Sequence, residues 1–423
     1  MTGLLPHSRD SRIPALAGEP ELAPPDADEF RERFVPLLLP EFERSKVELL
    51  YARWKPGVST TACYRVSEAG SAELVVWRRH LDGKWDAGDA DRLGKGRLGD
   101  GSGSELRWHV DPANGVLAHV FPADPDLPGA VRVRDVGRFA RWFESQGVAP
   151  GRRVRRKHFA SRLVRYRPSS RAVLRFDVRL MTADGAKERT SLGVRCLEPR
   201  RATDVMRKPR AFGANCSDDL FPPTIGVEER TGVLYERWLD VEPRVHDDYD
   251  APEVAGALLA RVHRTPVAVD PSLARTAPRF DPSPWFAPFE RLRAARWPEL
   301  ASAARTWTHG DFHPDCVATA RDGSGVRLLD ADSVAVGEPL EDVADWVAGD
   351  VAASGASFEE SARAFLEGYD GAVRFELREL APFVVRALVA RAAAAVRRLE
   401  VDAVERASRL LDRSASVREE VGR

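Results

Sequence analysis

The chain has 423 residues, 43% hydrophobic and 30% charged, with 64 basic and 65 acidic residues and a net charge of −1. That balance supplies core material for two or three globular domains and gives no electrostatic reason to expect nucleic acid or an acidic membrane as a partner. No apolar run approaches the roughly 20 residues of a membrane span.

The N-terminal stretch is rich in Pro, Gly, Ala and charge, without a period, and reads as a disordered tail over 1–28 with no signal peptide. A short helix is predicted in "ADEFRERFVPLLL", where Phe30, Phe34 and Leu37 fall near helical spacing. Three strands follow between residues 46 and 80, separated by Pro56-Gly57 and by Glu68-Ala69-Gly70. The Gly- and Asp-rich segment 81–105 reads as a loop. It lacks the lysine and hydroxyl residue that end a phosphate-binding P-loop. "VGRFARWFESQG" reads as a helix, and "GRRVRRKH" (151–158) as a solvated linker, with attraction of an anionic nucleotide as its sharper alternative.

A second sheet-like block opens with "SRLVRYRPSSRAVLRFDVRL", which alternates apolar and polar residues on both sides of Arg167-Pro168-Ser169-Ser170, a hairpin signal. "SLGVRCLE" and "VLYERWLD" add strands. The rest is mainly helical: "APEVAGALLARVHRTP", "WFAPFERLRAARWPEL", "SFEESARAFLEGYDGA" and the stretch from Glu376. The four cysteines (Cys63, Cys196, Cys216, Cys316) have no paired spacing, which predicts a reduced, cytoplasmic protein without structural zinc. Of the basic residues only seven are lysine, none beyond Lys208, a bias that suggests a bacterial genome with GC-rich codons.

The chemistry concentrates between residues 307 and 346, "WTHGDFHPDCVATARDGSGVRLLDADSVAVGEPLEDVADW". Phosphoryl transfer needs a carboxylate near the attacking hydroxyl, oxygen ligands for magnesium and cations on the donor phosphates. Asp311 lies in a loop beside Gly310. Asp330 ends the apolar strand "GVRLLD" and Asp332 follows two residues later. A strand pair joined by "ATARDGSG" would bring the Asp311 loop beside Asp330. A metal-dependent hydrolase on His309, Asp311 and His313 would need further ligands that the sequence does not offer.

"THGDFHPDC", "LLDAD" and "GEPLEDVADW" resemble, in order and spacing, the aminoglycoside phosphotransferase and choline kinase-like family. "LLARVHRTP" is similar to the family's Leu-Ala-x-x-His helix, with His263 at the histidine. The resemblance implies an α+β, bilobal protein kinase-like fold with an antiparallel-sheet small lobe, a mainly helical large lobe and an extra N-terminal β-rich domain. Its boundaries are a 29–150 cap-like extension, of the sort seen in bacterial maltokinase-like members, a 151–240 small lobe and a 241–423 large lobe. It implies ATP and Mg2+ as cofactors and a small hydroxylated molecule (sugar, aminoglycoside or amino alcohol) as substrate. It implies Asp311 as the catalytic base, His309 as its brace, and Asp330 as a metal ligand, with Asp332 a second metal ligand or a structural acid. Arg195 on the third small-lobe strand would meet the phosphates, Arg167 and Ser169 would sit in the turn that covers them, and Glu236 on the strand entering the hinge. Asp342 reads as a loop anchor or a helix cap rather than a substrate contact, and His313 as loop packing with substrate contact as the alternative. Glu338, Glu341 and Asp345 would suit a cationic substrate or pair with arginines.

Two residues depart from the pattern. Cys316 stands where the family has asparagine, and a thiol is a poor magnesium ligand. Arg195 stands in place of lysine, keeping the charge on a flatter, bulkier group. In an active kinase Asp332 or Asp315 would replace the amide, and Arg195 or Lys187 the lysine; the alternative is a pseudokinase that keeps the fold without turnover.

Overall fold

The computed structural model describes residues 19–81, 107–145, 152–182, 184–216, 220–243, 251–267, 270–274, 305–321, 323, 325–370, 373–399 and 402–421. The tail before residue 19, the Gly- and Asp-rich stretch from residue 82 and the helix expected at 285–300 lie outside the described residues. The chain falls into two compact units. The first comprises Met1–Thr203, Thr224–Trp238 and Val396–Ala403; the second comprises Asp204–Pro223, Leu239–Ala395 and Val404–Arg423.

The first unit begins earlier than the sequence suggested. Leu22 is fully buried, Glu19 accepts hydrogen bonds from Trp54 Nε1 (2.9 Å) and Gly57 N (2.7 Å), and Pro25 O accepts one from Tyr64 (2.6 Å). The expected tail therefore stops short of residue 28. Asp26 caps helix α1 (Ala27–Arg33) by accepting from Asp28 N and Glu29 N. Pro36 falls at the start of a second short helix, α2 (Val35–Leu38), so the expected single helix is broken. The break turns Leu37 outward, 56% exposed, and buries Leu38 in its place.

Strands β1 (Lys46–Lys55), β2 (Ser59–Glu68) and β3 (Ser71–His80) form the expected meander. Two unexpected strands, β4 (Trp108–Asp111) and β5 (Val116–Val120), complete an antiparallel sheet of order β1-β2-β3-β5-β4. All five residues of β5 are buried, so it has no polar alternation to announce it. The β4–β5 turn depends on Gly115: its φ is 61°, and a Cβ there would meet His80 O at 2.3 Å.

His119 on β5 is wholly buried, and neither ring nitrogen has a partner among the described residues. Burial lowers its pKa to about 4, with Asp124 and Asp126 pulling it up and Arg78 pushing it down. Below pH 6.5 the unfolded chain takes up a proton that the folded chain refuses, so stability falls from pH 6.5 to pH 4 and is level below that. The loss is about 3 kcal/mol at most. His119→Leu is expected to flatten this slope in denaturant unfolding followed from pH 7 to pH 4; an unchanged slope would place the titrating group elsewhere.

Helices α3 (Pro128–Arg132) and α4 (Val136–Ser145) lead to the second sheet. It contains β6 (Arg153–Val154), β7 (Ala160–Arg167), β8 (Arg171–Met181) and β9 (Lys187–Leu197). Helix α5 (Pro199–Asn215) precedes β10 (Thr224–Glu228) and β11 (Val233–Arg237). The order is β10-β11-β9-β8-β6, with β7 also paired to β8. Strand β8 buries Ala172, Leu174, Phe176, Val178 and Leu180 and leaves the intervening residues partly exposed, the period of a half-buried strand. Part of the expected linker is instead an edge strand, because Arg153 and Val154 pair with Met181 and Leu180. Residue Gly151 lies outside the described residues.

The second unit holds β12 (Val241–Pro243), helix α6 (Ala251–Arg264), β13 (Thr306–Thr308), β14 (Val317–Ala320), β15 (Val326–Leu328) and β16 (Ala335–Gly337). Helices α7 (Pro339–Ser354), α8 (Phe358–Gly368), α9 (Leu377–Arg397) and α10 (Ala403–Val421) complete the chain. Strands β12, β14 and β15 form one antiparallel sheet, and β13 pairs with β16. Helices α6 and α8 cross backbone to backbone. A Cβ on Gly256 would meet Phe365 O at 2.2 Å, and one on Gly368 would meet Glu253 O at 1.8 Å. The α+β class, the antiparallel sheets and the additional N-terminal β-rich sheet are as the sequence predicted. Among the described residues no helix is long and apolar enough to cross a membrane.

Candidate active site

The loop from His309 to Cys316 joins β13 to β14, and two glycine-dependent features fix its course. Gly310 has φ 83°, and a Cβ on it would meet Ser333 O at 2.3 Å, so the loop lies directly on the turn that follows Asp330. The backbone there is held by a carboxylate. Asp342, in the first turn of α7 and fully buried, accepts His309 N–H at 2.6 Å and Gly310 N–H at 2.7 Å. Asp342 is thus the loop anchor that the sequence suggested.

Behind Asp342 stands a second layer. His263 Nε2 lies 3.4 Å from Asp342 Oδ2, and its Nδ1 lies 2.6 Å from Tyr369 Oη. Burial raises the pKa of Tyr369, and Asp342 adds to the effect, so the phenol remains a donor. The consistent assignment has Tyr369 O–H donating to Nδ1 and Nε2–H directed at the carboxylate. Sequence reasoning placed His263 but missed Tyr369, which is 106 residues away and carries no local signal.

His309 braces the loop from within. Its Nε2–H donates to Leu329 O at 2.8 Å, and its ring packs on Phe221 and Phe312. Leu329 N–H donates to Cys316 O at 2.8 Å. The residue just before Asp330 is therefore pinned through both its amide and its carbonyl. Asp330 itself has φ 60° and ψ 49°, the left-handed region, which costs a non-glycine residue about 1 kcal/mol or more. Such strain persists where the surroundings impose it, and it marks Asp330 as a functional candidate.

Cys316 lies between these elements. Its Sγ–H donates to Asp311 O at 3.3 Å, so the thiol ties the loop's far end back to the candidate base. Burial pushes its pKa well up, and the carboxylates of Asp311, Asp330 and Asp315 push it further. The sulfur is a protonated brace rather than a thiolate ligand. Through its thiol on Asp311 O and its carbonyl on Leu329 N, Cys316 ties the Asp311 backbone to the residue before Asp330. Asp311 is exposed, and Asp330 is partly buried. Burial lowers the pKa of His313 against the opposing pull of Asp311 and Asp315, which keeps the ring neutral at pH 7.

Among the described residues no three His, Cys, Asp or Glu side chains form a ready-made metal cluster. Magnesium carried by a nucleotide asks for less: one or two carboxylates, with water and phosphate completing the octahedron. Asp330, with Asp332 in the turn after it, could supply those carboxylates. His309 commits Nε2 to Leu329 O, and its Nδ1 is buried with no partner among the described residues. The neighbouring acids serve the fold. Glu338 caps α7 through Leu340 N, and Glu341 pairs with Arg386 at 3.4 Å, both side chains under a fifth exposed.

The other four expected residues belong to the first unit. Arg195 lies on β9 opposite Val173 and Leu234, and pairs with Glu236 at 2.7 Å, with 8% and 15% of the two side chains exposed. Glu236 thus orients Arg195. Lys187 cannot replace it: the two lie eight positions apart on β9, about 26 Å along a strand. Arg167 and Ser169 open and turn the β7–β8 hairpin.

Residues 200–383 match the model of the phosphotransferase enzyme family. Solved structures similar to the chain include an ethanolamine kinase of Plasmodium vivax, at 12% identity and TM-score 0.40, covering 62% of this chain and 83% of that one. A choline kinase of Cryptosporidium parvum shares 10% identity at TM-score 0.40, covering 63% and 91%. A macrolide 2'-phosphotransferase of Brachybacterium faecium shares 16% at TM-score 0.38, covering 64% and 98%. No curated protein matches the chain by sequence.

Proposed function

From the place of residues 200–383 in the phosphotransferase enzyme family, we propose that the chain transfers a phosphoryl group from ATP to a hydroxyl of a small molecule. The observation that carries this reading is the tying of the Asp311 loop to the segment that ends at Asp330, through Cys316, His309 and Leu329, on a backbone pinned by Asp342 and within the family segment. Asp311, whose side chain is exposed, would take the acceptor's proton. Asp330 and Asp332 would hold magnesium, which when bound offsets charge on the donor phosphates. Arg195, oriented by Glu236, would supply the cation that lysine supplies elsewhere, and Arg167 would add a second.

The missing asparagine combines two duties in principle, bracing the loop and binding metal. Here Cys316 keeps the first and cannot perform the second. The reading therefore requires turnover with the metal held by Asp330 and Asp332 and no amide ligand. The four cysteines without paired spacing and the arginine-rich composition support a reduced bacterial cytoplasm as the setting.

The test is ATP consumption by the purified chain, with and without magnesium, against panels of sugars, aminoglycosides and amino alcohols. Magnesium-dependent turnover with at least one acceptor is expected, and Asp330→Asn should remove it. An Asp330→Asn variant that matches wild type would refute the metal assignment.

A further inference from the structure

Asp124 follows β5 in the N-terminal block, yet its carboxylate serves the hairpin of the other sheet. The residue is fully buried. Oδ2 accepts from Tyr166 Oη and from Ser169 N, each at 2.8 Å, while Oδ1 accepts from Asp126 N at 3.0 Å. Asp126 in turn pairs with the buried Arg78 at 2.8 Å. The anchor is therefore itself held in place.

The segment it grips is Arg167-Pro168-Ser169-Ser170. Ser170 N–H donates to Arg167 O at 3.1 Å, proline holds the second position, and Ser169 has φ 59°. These features define a type II turn, whose third position ordinarily calls for glycine. Serine there costs on the order of 1 kcal/mol. Asp124 accepts the N–H of that same residue, a charge-assisted bond strong enough to offset the cost.

The amides of this turn are all occupied or missing. Pro168 has none, Ser169 gives its own to Asp124, and Ser170 gives its own to Arg167 O. Ser169 Oγ is buried with no partner among the described residues. The turn cannot cradle an anion with backbone N–H groups as glycine-rich loops do. What it offers is arginine: Arg167 at its first position, with Arg171 directly opposite in the ladder.

We propose that Asp124 is a positioning residue for the donor nucleotide. It locks the 167–170 turn in its type II form, so that the Arg167 side chain, rather than backbone amides, meets the donor phosphates. The proposal rests on the phosphotransferase reading and gives the N-terminal block a part in it.

The experiment uses the full chain, with calorimetric binding of magnesium and a non-hydrolysable ATP analogue, steady-state kinetics, and hydrogen exchange across residues 166–171. Asp124→Asn is expected to weaken binding and raise KM for ATP by about tenfold, the scale of one charge-assisted hydrogen bond, with kcat within about twofold and faster exchange in the turn. Adding Ser169→Gly to that variant removes the strain and should restore affinity to within about threefold of wild type. A merely structural aspartate would show no such rescue. If Asp124→Asn does not fold, Tyr166→Phe removes one of the two turn-side bonds and should raise KM about threefold with faster exchange; unchanged values there sink the proposal. Wild-type affinity in Asp124→Asn, or a double variant no better than the single one, also overturns it. Wild-type protein that binds no nucleotide overturns the phosphotransferase reading and this proposal together, whereas binding that Asp124→Asn leaves unchanged overturns the proposal alone.

Discussion

Replacing Asp311 with asparagine is expected to cut turnover by about 10²- to 10⁴-fold, the range associated with losing a general base. The change is nearly isosteric, and the residue is exposed. What the loop takes from Asp311 is its backbone carbonyl, which receives the Cys316 thiol, and asparagine retains that carbonyl. The thermal midpoint should therefore stay close to that of wild type while kcat falls and nucleotide affinity holds. That separation is the diagnostic feature. Measured with the best acceptor from the panel, a variant retaining more than about a tenth of wild-type kcat would remove Asp311 from the role of base.

Alanine at Asp342 is expected to damage both stability and catalysis. The substitution leaves the amides of His309 and Gly310 buried without their acceptor and leaves His263 facing a void. Breaking a buried charged partner out of such a network costs about 3–5 kcal/mol. For a unit of this size that corresponds to a fall of about 10 °C in thermal midpoint. Whatever folded protein remains should lose kcat more than nucleotide affinity, because the displaced segment leads straight to Asp311. Calorimetry and kinetics on the same preparation check both halves. A variant with wild-type midpoint and wild-type kcat would show that the carboxylate holds nothing of consequence.

The legible parts of the chain were those in which a local rule acts alone. The alternation in β8 announced a half-buried strand, and Arg167-Pro168-Ser169-Ser170 announced its hairpin, because both depend on neighbours in sequence. The expected strand pair of the 307–346 stretch was legible, and Asp311 and Asp330 flank it as candidate residues. Strands β4 and β5 were not, since β5 is buried along its whole length and β4 is partly buried at every position, so neither alternates. Pairings at long range were also hidden. Asp124 and Tyr166 are 42 residues apart, Arg195 and Glu236 41, and nothing local in either partner names the other. Cys316 was legible only as a missing metal ligand. Its hydrogen bond to Asp311 O depends on how the loop closes, which spacing alone does not give.

The crossing of α6 and α8 at Gly256 and Gly368 sets a mechanical tolerance for the candidate base. Main chain resting on main chain has no side chain to compress or repack, so the separation of these helices is fixed by atoms that substitutions elsewhere cannot resize. His263 and Tyr369 hang from the two sides of that contact and meet at 2.6 Å. The outer faces of both helices can thus accumulate replacements over evolutionary time while the reference distance behind the loop stays constant, much as a machine keeps its alignment when its casing is repainted.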